Sequence, residues 1–585
     1  MKPGRRVEGR AGAPPAAAAP RRAPWLERLL PLALAAVTVW GSLGGPFIWD
    51  DVPNIPGNPH IRRLGWDALA GTSRPLTQLT FALNHALGGL DVRGYHAVNL
   101  AVHVLAALAL YALARRTFAA AALRPRFGSA APWLAVALAA CWAVHPLQTE
   151  AVTYIVQRAE SLAGLLYLLV LLALARGAES RRPHCWHAAA VGCCALGMAV
   201  KPVMATAPLL ALLYDRAFLA GSFRAALARR RGLYAALAAT VLVLPVVLAA
   251  GRHDWDVSTG FGMAGLTPGR YALTQLAVVA HYLRLALWPS PLILDYAWPT
   301  ARGPGDVMPG GLVTVALLAL TAFGLARNRV AGFLGAWAFV ILAPTSSFVP
   351  IADAAFEHRM YLPLAAVVAL VVAGAWRIAA GRRGAAIAAV LAALVLVGAL
   401  ARVTARRNRD YASAVAIWSD TIARHPHNPR PYVQLGTALA AAGREDEAIR
   451  SFETALRLKP DYGAALGNLT HARDAQGRLT LEQAIRDYDE ALRLDPGLQW
   501  TRYDLGLALI RAARPGEAAA RFSEALAREP GFAAAHYGLG VALALQGRVD
   551  EGRRELERAL QLDPGNADAL RALAGLDSER GAPGR

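Results

Sequence analysis

The sequence predicts an all-α protein in two parts: a polytopic membrane helix bundle of about eleven spans, then a C-terminal helical solenoid. Three observations carry this. Over 585 residues the composition is 55% hydrophobic and only 17% charged, unusual for a water-soluble chain of this length. Basic residues collect in the short loops between apolar stretches, the asymmetry of membrane proteins. Beyond residue 408 the pattern becomes a regular repeat.

Taken in order, Met1 to Arg22 is rich in Ala, Pro and Arg and lacks apolar periodicity. Residues 1–24 are expected to be a disordered cytoplasmic tail. The membrane domain then covers 25–407, opening with a first span from Trp25 to Gly45 that is read as a retained anchor. Further apolar stretches follow near 96–114, 130–145, 160–177, 185–200, 202–218, 233–250, 271–289, 310–327, 330–350, 360–378 and 384–403. Each approaches the ~20 residues that a bilayer core requires. Arg115-Arg116, Arg181-Arg182, Arg229-Arg230-Arg231, Arg327 with Arg329, and Arg377 with Arg382-Arg383 mark cytoplasmic loops. With those loops inside, 271–289 cannot cross simply, and it is read as a re-entrant or surface-lying helix. The acidic loop after the first span, the loops near residues 145–160 and 357, and the C-terminal domain then share the outer face. Arg402, Arg406, Arg407 and Arg409 oppose that placement of the tail, since they follow the last span.

In the domain from 408 to 580, Pro426, Pro460, Pro496, Pro530 and Pro564 are spaced 34, 36, 34 and 34 residues apart. Between them recur Ala448…Phe452…Ala455, Ala484…Tyr488…Ala491 and Ala518…Phe522…Ala525, with Leu-Gly pairs at Leu435-Gly436, Leu505-Gly506 and Leu539-Gly540. A 34-residue period with small residues where two helices touch, and a proline ending the second, is the tetratricopeptide (TPR) pattern. Three to four full repeats, flanked by partial ones from Tyr411 and after Pro564, are expected. Their groove suits acceptor or partner proteins and carries no chemistry of its own.

The formal charge of +20 invites a nucleic-acid reading, but its distribution argues against one. From Tyr411 to Arg580 the chain has 21 Arg/Lys against 24 Asp/Glu, so the excess lies in the membrane part. RNP-like motifs, zinc-finger spacings and basic-aromatic stripes do not occur in the sequence. The four cysteines lie in apolar segments and form neither a metal spacing nor a disulfide framework. His96, His103 and His281 read as residues hydrogen-bonded within the bundle rather than metal ligands.

Chemistry is expected where ionisable groups sit at span ends, because such groups are costly near hydrocarbon. Asp50-Asp51 follows the first span, in Phe47-Ile48-Trp49-Asp50-Asp51. His145-Pro146-Leu147-Gln148-Thr149-Glu150 leads to Gln157-Arg158-Ala159-Glu160; Lys201-Pro202 separates two spans; Glu357-His358-Arg359 precedes another. Together these offer carboxylates for proton transfer and cations for a phosphate. Taken singly, each also reads as a cap, an interfacial ion pair or a snorkelling side chain. Gly-rich phosphate loops, Ser-His-Asp order and HExxH are missing from the sequence.

These residues, with Asn58-Pro59-His60, Arg74-Pro75-Leu76-Thr77, Phe81-Ala82-Leu83-Asn84, Gly94-Tyr95-His96…Val98-Asn99, His145-Pro146…Thr149-Glu150-Ala151-Val152, Leu287-Trp288-Pro289 and Arg359…Tyr361-Leu362-Pro363, resemble the transmembrane and TPR repeat-containing protein O-mannosyltransferases. Those are GT-C-type glycosyltransferases with bacterial relatives. The likeness runs from about residue 25 to the repeats. It departs at Lys201, where many relatives place an acidic residue next and this chain has Pro202.

The resemblance implies a membrane glycosyltransferase that moves a sugar, mannose by analogy, from a polyprenyl-phosphate donor to Ser/Thr hydroxyls of proteins on the extracytoplasmic side. Transfer would invert the anomeric centre. Asp51 would be the base with Asp50 orienting it or holding a divalent cation (magnesium or manganese), or the two roles are exchanged. Arg158, Lys201 and Arg359 would bind the lipid phosphate, with Glu160, Glu357 and His96 in support. The bacterial inner membrane is the expected location, with the TPRs outside the cytoplasm. Rival readings are a TPR-bearing assembly scaffold and a lipid-sugar transporter or flippase. A scaffold needs only one span, and a transporter predicts internal repeats and charges at mid-membrane depth.

Overall fold

The computed structural model describes residues 40–66, 69, 71–251, 260–261 and 265–581. The predicted tail and most of the first span, 25–45, lie outside them. The described residues are helical, with no β-strand among them. The bundle includes α1 (Pro75–Gly88), α2 (Val92–Ala119), α3 (Ala131–Ala143), α4 (Arg158–Glu179), α5 (Pro183–Met198), α6 (Ala207–Tyr214), α7 (Phe223–Ala239), α8 (Pro268–Leu287), α9 (Gly310–Arg327), α10 (Arg329–Leu342), α11 (Leu364–Ala379) and α12 (Arg383–Asp410).

Six helical stretches among the described residues are long and apolar enough to cross a membrane, or seven if the bent pair Arg124–Ala143 and Pro146–Thr153 is one span. The expected 185–200, 330–350 and 360–378 stretches form helices of 16, 14 and 16 residues, short of a full crossing by length. Region 271–289 forms α8, which is not one of the six. α12 leaves Leu391, Leu394 and Val395 exposed, an arrangement stable only against hydrocarbon. α2, α3 and α4 form the inner layer: Trp142 and Tyr167 are fully buried, and the Trp142 indole donates to the Tyr361 carbonyl at 2.8 Å.

The solenoid consists of α13 (Ala414–Arg424), α14 (Pro429–Ala441), α15 (Glu445–Leu458), α16 (Gly463–Ala475), α17 (Leu481–Leu494), α18 (Gln499–Arg511), α19 (Pro515–Arg528), α20 (Ala533–Leu545), α21 (Val549–Leu562) and α22 (Ala567–Gly581). From α14 onward they pair as the repeat period predicts, leaving one unpaired helix at each end. The Leu-Gly pairs have a steric cause. A Cβ on Gly436 would strike the Phe452 ring, and Phe522 lies against both Gly506 and Gly538. One aromatic ring thus fills the space that glycines on two neighbouring helices leave open.

The solenoid packs on the face of the bundle that bears the acidic loop. Ile48, Tyr154, Val156 and Leu294 form one apolar cluster with Tyr411, Ile417 and Trp418. Arg430 on α14 grips Asp295 and Asp353, each at 2.6 Å. The three loops expected to share a face with the C-terminal domain come together beneath the repeats. The arginines after the last span do not carry the tail to the opposite side: Arg407 pairs with Asp420 at 2.7 Å, and the Thr153 hydroxyl donates to Asn408 at 2.8 Å.

Candidate active site

The acidic loop is held in one shape by one of its own carboxylates. Asp51 is buried, and its two oxygens accept from the backbone N–H groups of Ile48 (3.1 Å) and Val156 (2.7 Å). This ties residues 48–51 to the segment that leads into α4. Burial pushes the Asp51 carboxyl up to about 8, against the pull of those hydrogen bonds. Asp50 is only partly buried and its carboxylate accepts no backbone N–H among the described residues; its own N–H donates to the Tyr154 hydroxyl at 2.9 Å. Burial raises its pKa, while Tyr154 and the nearby Arg74 lower it.

Trp49, between the tied residues, has φ 44°, a conformation a bulky side chain adopts at a cost of about 1–3 kcal/mol unless its surroundings enforce it. Here they do. Its ring stacks on Tyr154 (6.5 Å), meets Trp418 edge-on (5.5 Å), contacts Phe356 (6.1 Å) and lies under the Arg430 guanidinium (4.9 Å). Two of those four neighbours belong to the repeats. Burial alone would raise Asp295, but Arg430 and Asn428 hold its pKa below the ordinary value.

The expected phosphate-binding cations have different surroundings. Arg158 is fully buried and donates to Asn99, Thr80, Asn84 and the Tyr95 carbonyl at 2.6–3.1 Å, with its guanidinium over the Phe81 ring. It serves as a pillar between α1, α2 and α4, with its donors turned to protein. Lys201 forms a buried ion pair with Glu160. Arg359 donates to the carbonyls of Thr345, Ala354 and Asp353. Lys201 lies within electrostatic reach of both Arg359 and Arg74.

The supporting residues hold loops in place. His96 meets the Gly45 carbonyl at 3.0 Å. Glu357 is buried and accepts from the Ile293 N–H (2.6 Å) and the Tyr296 hydroxyl (2.8 Å), and burial pushes its pKa up to about 7. Glu150 accepts from the His358 N–H and meets its ring, both at 2.9 Å. His103 bridges Tyr361 and the Ala143 carbonyl, and His281 packs edge-on against Tyr296 and Trp298.

No group of three His, Cys, Asp or Glu side chains placed to hold a metal occurs among the described residues. Asp51 spends both oxygens on backbone donors, and Asp50 faces the cations Arg74 and Arg430. That donor set does not fit a divalent cation, which takes several unencumbered oxygens.

An apolar cleft of about 770 Å³ runs through the bundle, lined by Leu110, Phe118, Phe333, Leu342 and Met360, with Arg126 and Arg377 at one end. Met360, the residue after Arg359 in the chain, is one of its walls. Sequence reasoning did not find it, because its walls come from segments far apart in the chain.

A tetratricopeptide repeat family model matches residues 403–466 and 503–574. Human Protein O-mannosyl-transferase TMTC1 is 26% identical over 76% of this chain and 56% of its own length. Protein O-mannosyl-transferase F38B6.6 of Caenorhabditis elegans is 24% identical over 74% of this chain and 63% of its own. The chain thus spans little more than half the length of these curated relatives. Among solved structures, YrrB, a TPR protein with an unusual peptide-binding site, is 20% identical, with a TM-score of 0.25 over 29% of this chain and 86% of that one. Taken with the order of motifs along the membrane part, these likenesses make the chain similar to the transmembrane and TPR repeat-containing protein O-mannosyltransferases.

Proposed function

We propose that this protein is a membrane glycosyltransferase that moves a sugar, mannose by kinship, from a polyprenyl-phosphate carrier to Ser/Thr hydroxyls of proteins. The observation carrying this is the division of labour in the acidic loop: Asp51 spends both oxygens on backbone N–H donors, and the Asp50 carboxylate beside it, part-buried, has Tyr154 as its hydrogen-bonding neighbour and no backbone donor among the described residues. The base, placed first on Asp51 from the sequence, is therefore assigned to Asp50.

Asp50 takes the proton of the acceptor hydroxyl as its oxygen attacks the anomeric carbon. The bond from that carbon to the carrier phosphate breaks on the opposite side, so one displacement inverts the configuration. Polyprenyl phosphate leaves with one more negative charge than it bore as the sugar ester, near Lys201 and Arg359. Arg158 acts by holding α1, α2 and α4 in register, and no step is routed through a metal. The apolar cleft takes the isoprenoid tail, and the solenoid offers its groove to acceptor protein. In a bacterial cell the reaction would occupy the outer side of the inner membrane, with the repeats there.

The test supplies polyprenyl-phosphate mannose and a Ser/Thr-rich peptide to membranes bearing the protein, and mass spectrometry scores added hexose. Transfer by the wild type, lost in Asp50→Asn, supports the reading. Absence of transfer from any polyprenyl-linked sugar would refute it in favour of a scaffold.

A further inference from the structure

Resting on that reading, we infer that Arg74 is the residue that binds the donor's phosphate, a role the sequence reading gave to Arg158, Lys201 and Arg359. The three cations named from the sequence, and Arg430, are already engaged. Arg158 is enclosed by Asn99, Asn84, Thr80 and Tyr95; Lys201 is paired with Glu160; Arg359 donates to three carbonyls; Arg430 holds Asp295 and Asp353. The Arg74 side chain has no hydrogen-bond or ion-pair partner among the described residues, and it is partly exposed. Its backbone, by contrast, is fixed. Its N–H donates to Thr72 at 3.1 Å, and the Leu76 N–H donates to the Ala199 carbonyl at 3.1 Å. The second bond docks the start of α1 two residues from Lys201.

Arg74 therefore lies within electrostatic reach of both Asp50 and Lys201, and Lys201 within reach of Arg359. A guanidinium on a fixed backbone, without an acceptor among the described residues and near an engaged cation, suits a phosphate oxyanion, which takes two parallel N–H donors. The phosphate carries one charge as the sugar diester and gains a second as the sugar–oxygen bond breaks. Binding by Arg74 consequently strengthens along the reaction, so its loss lowers kcat as well as affinity.

The experiment measures binding of polyprenyl phosphate, without sugar or acceptor, to full-length protein in nanodiscs, with inorganic phosphate as competitor. Arg74→Gln should weaken binding roughly ten- to hundredfold, and Arg74→Lys should recover part of it. The melting temperature should stay at the wild-type value, because the side chain has no partner to lose among the described residues. Competition by inorganic phosphate that Arg74→Gln abolishes would also support the site and show that the phosphate, rather than the isoprenoid, is read there. Undiminished polyprenyl-phosphate binding by Arg74→Gln would overturn the inference, as would a fall in melting temperature that Arg74→Lys restores. Turnover plays no part in this readout. A protein that binds through Arg74 yet glycosylates nothing would refute the proposed function and leave this site standing.

Discussion

Arginine and glutamate do opposite work in the two halves of the chain. Along the solenoid, Arg444–Glu447, Arg493–Glu490, Arg514–Glu517 and Arg548–Glu551 are exposed pairs three residues apart on single helices. In the bundle, Lys201–Glu160 and Arg230–Asp215 join separate segments with side chains 0–11% exposed. Exposed pairs are screened by water and contribute little. A buried charge that loses its partner keeps its full desolvation cost. The same residue types are thus a solvated surface in one half and fixed parts of the architecture in the other.

The largest effect that would break this contrast concerns Asp50. Asp50→Asn should lower the transfer rate by about two to four orders of magnitude while the melting temperature holds; a rate within threefold of wild type would remove the base. Glu160→Gln comes next. Stranding the Lys201 ammonium should cost about 3–5 kcal/mol, read as a lowered unfolding midpoint in detergent, and the double variant Glu160→Leu/Lys201→Met should recover most of it. Third, Arg430→Ala leaves Asp295 buried with only the neutral donors Asn428 and the Ala297 N–H among the described residues, at a cost of about 2–4 kcal/mol. Protease access to the segment around Ala412 should rise accordingly.

A smaller effect is one of pH. Folding raises the Asp51 pKa from 3.8 to about 8, so between those values the folded chain holds a proton that the unfolded chain has lost. Stability from this group is greatest at the acid end and declines as pH rises toward 8, and Asp51→Asn should flatten that slope of melting temperature against pH. Asp50 is also raised, so the rising limb of transfer rate against pH should lie above the ordinary carboxylate range. The smallest effect is expected in the solenoid. Arg514→Ala should leave the melting temperature unchanged within error.

What the sequence disclosed follows the same division. The repeats were legible to the residue, because Gly436 and Phe452, or Gly506 and Phe522, meet within one period and local spacing encodes the contact. The acidic loop was legible as a place but not as a pair of roles. Neighbouring carboxylates look alike until Val156, about a hundred residues onward, donates to one of them. Arg158 misled for the same reason: its acceptors Asn84 and Asn99 lie far upstream. Arg74 stands in the Arg-Pro-Leu motif, yet its lack of a side-chain partner among the described residues shows only once Arg158, Lys201 and Arg359 have found theirs. The full complement of crossings was not legible at all, since apolar stretches near 185–200 and 330–350 give helices of 16 and 14 residues.

α12 runs unbroken to Asp410, and only Tyr411–Ser413 separate it from α13. The Thr404 hydroxyl fastens that helix to the Val144 carbonyl, and Arg407 fastens it to Asp420. The repeats accordingly form a rigid jig bolted to the bundle instead of a tethered hook. A polypeptide seated in such a jig would meet the reactive carboxylate at a set offset from its docking sequence, so modified serines and threonines would cluster at one distance along the acceptor.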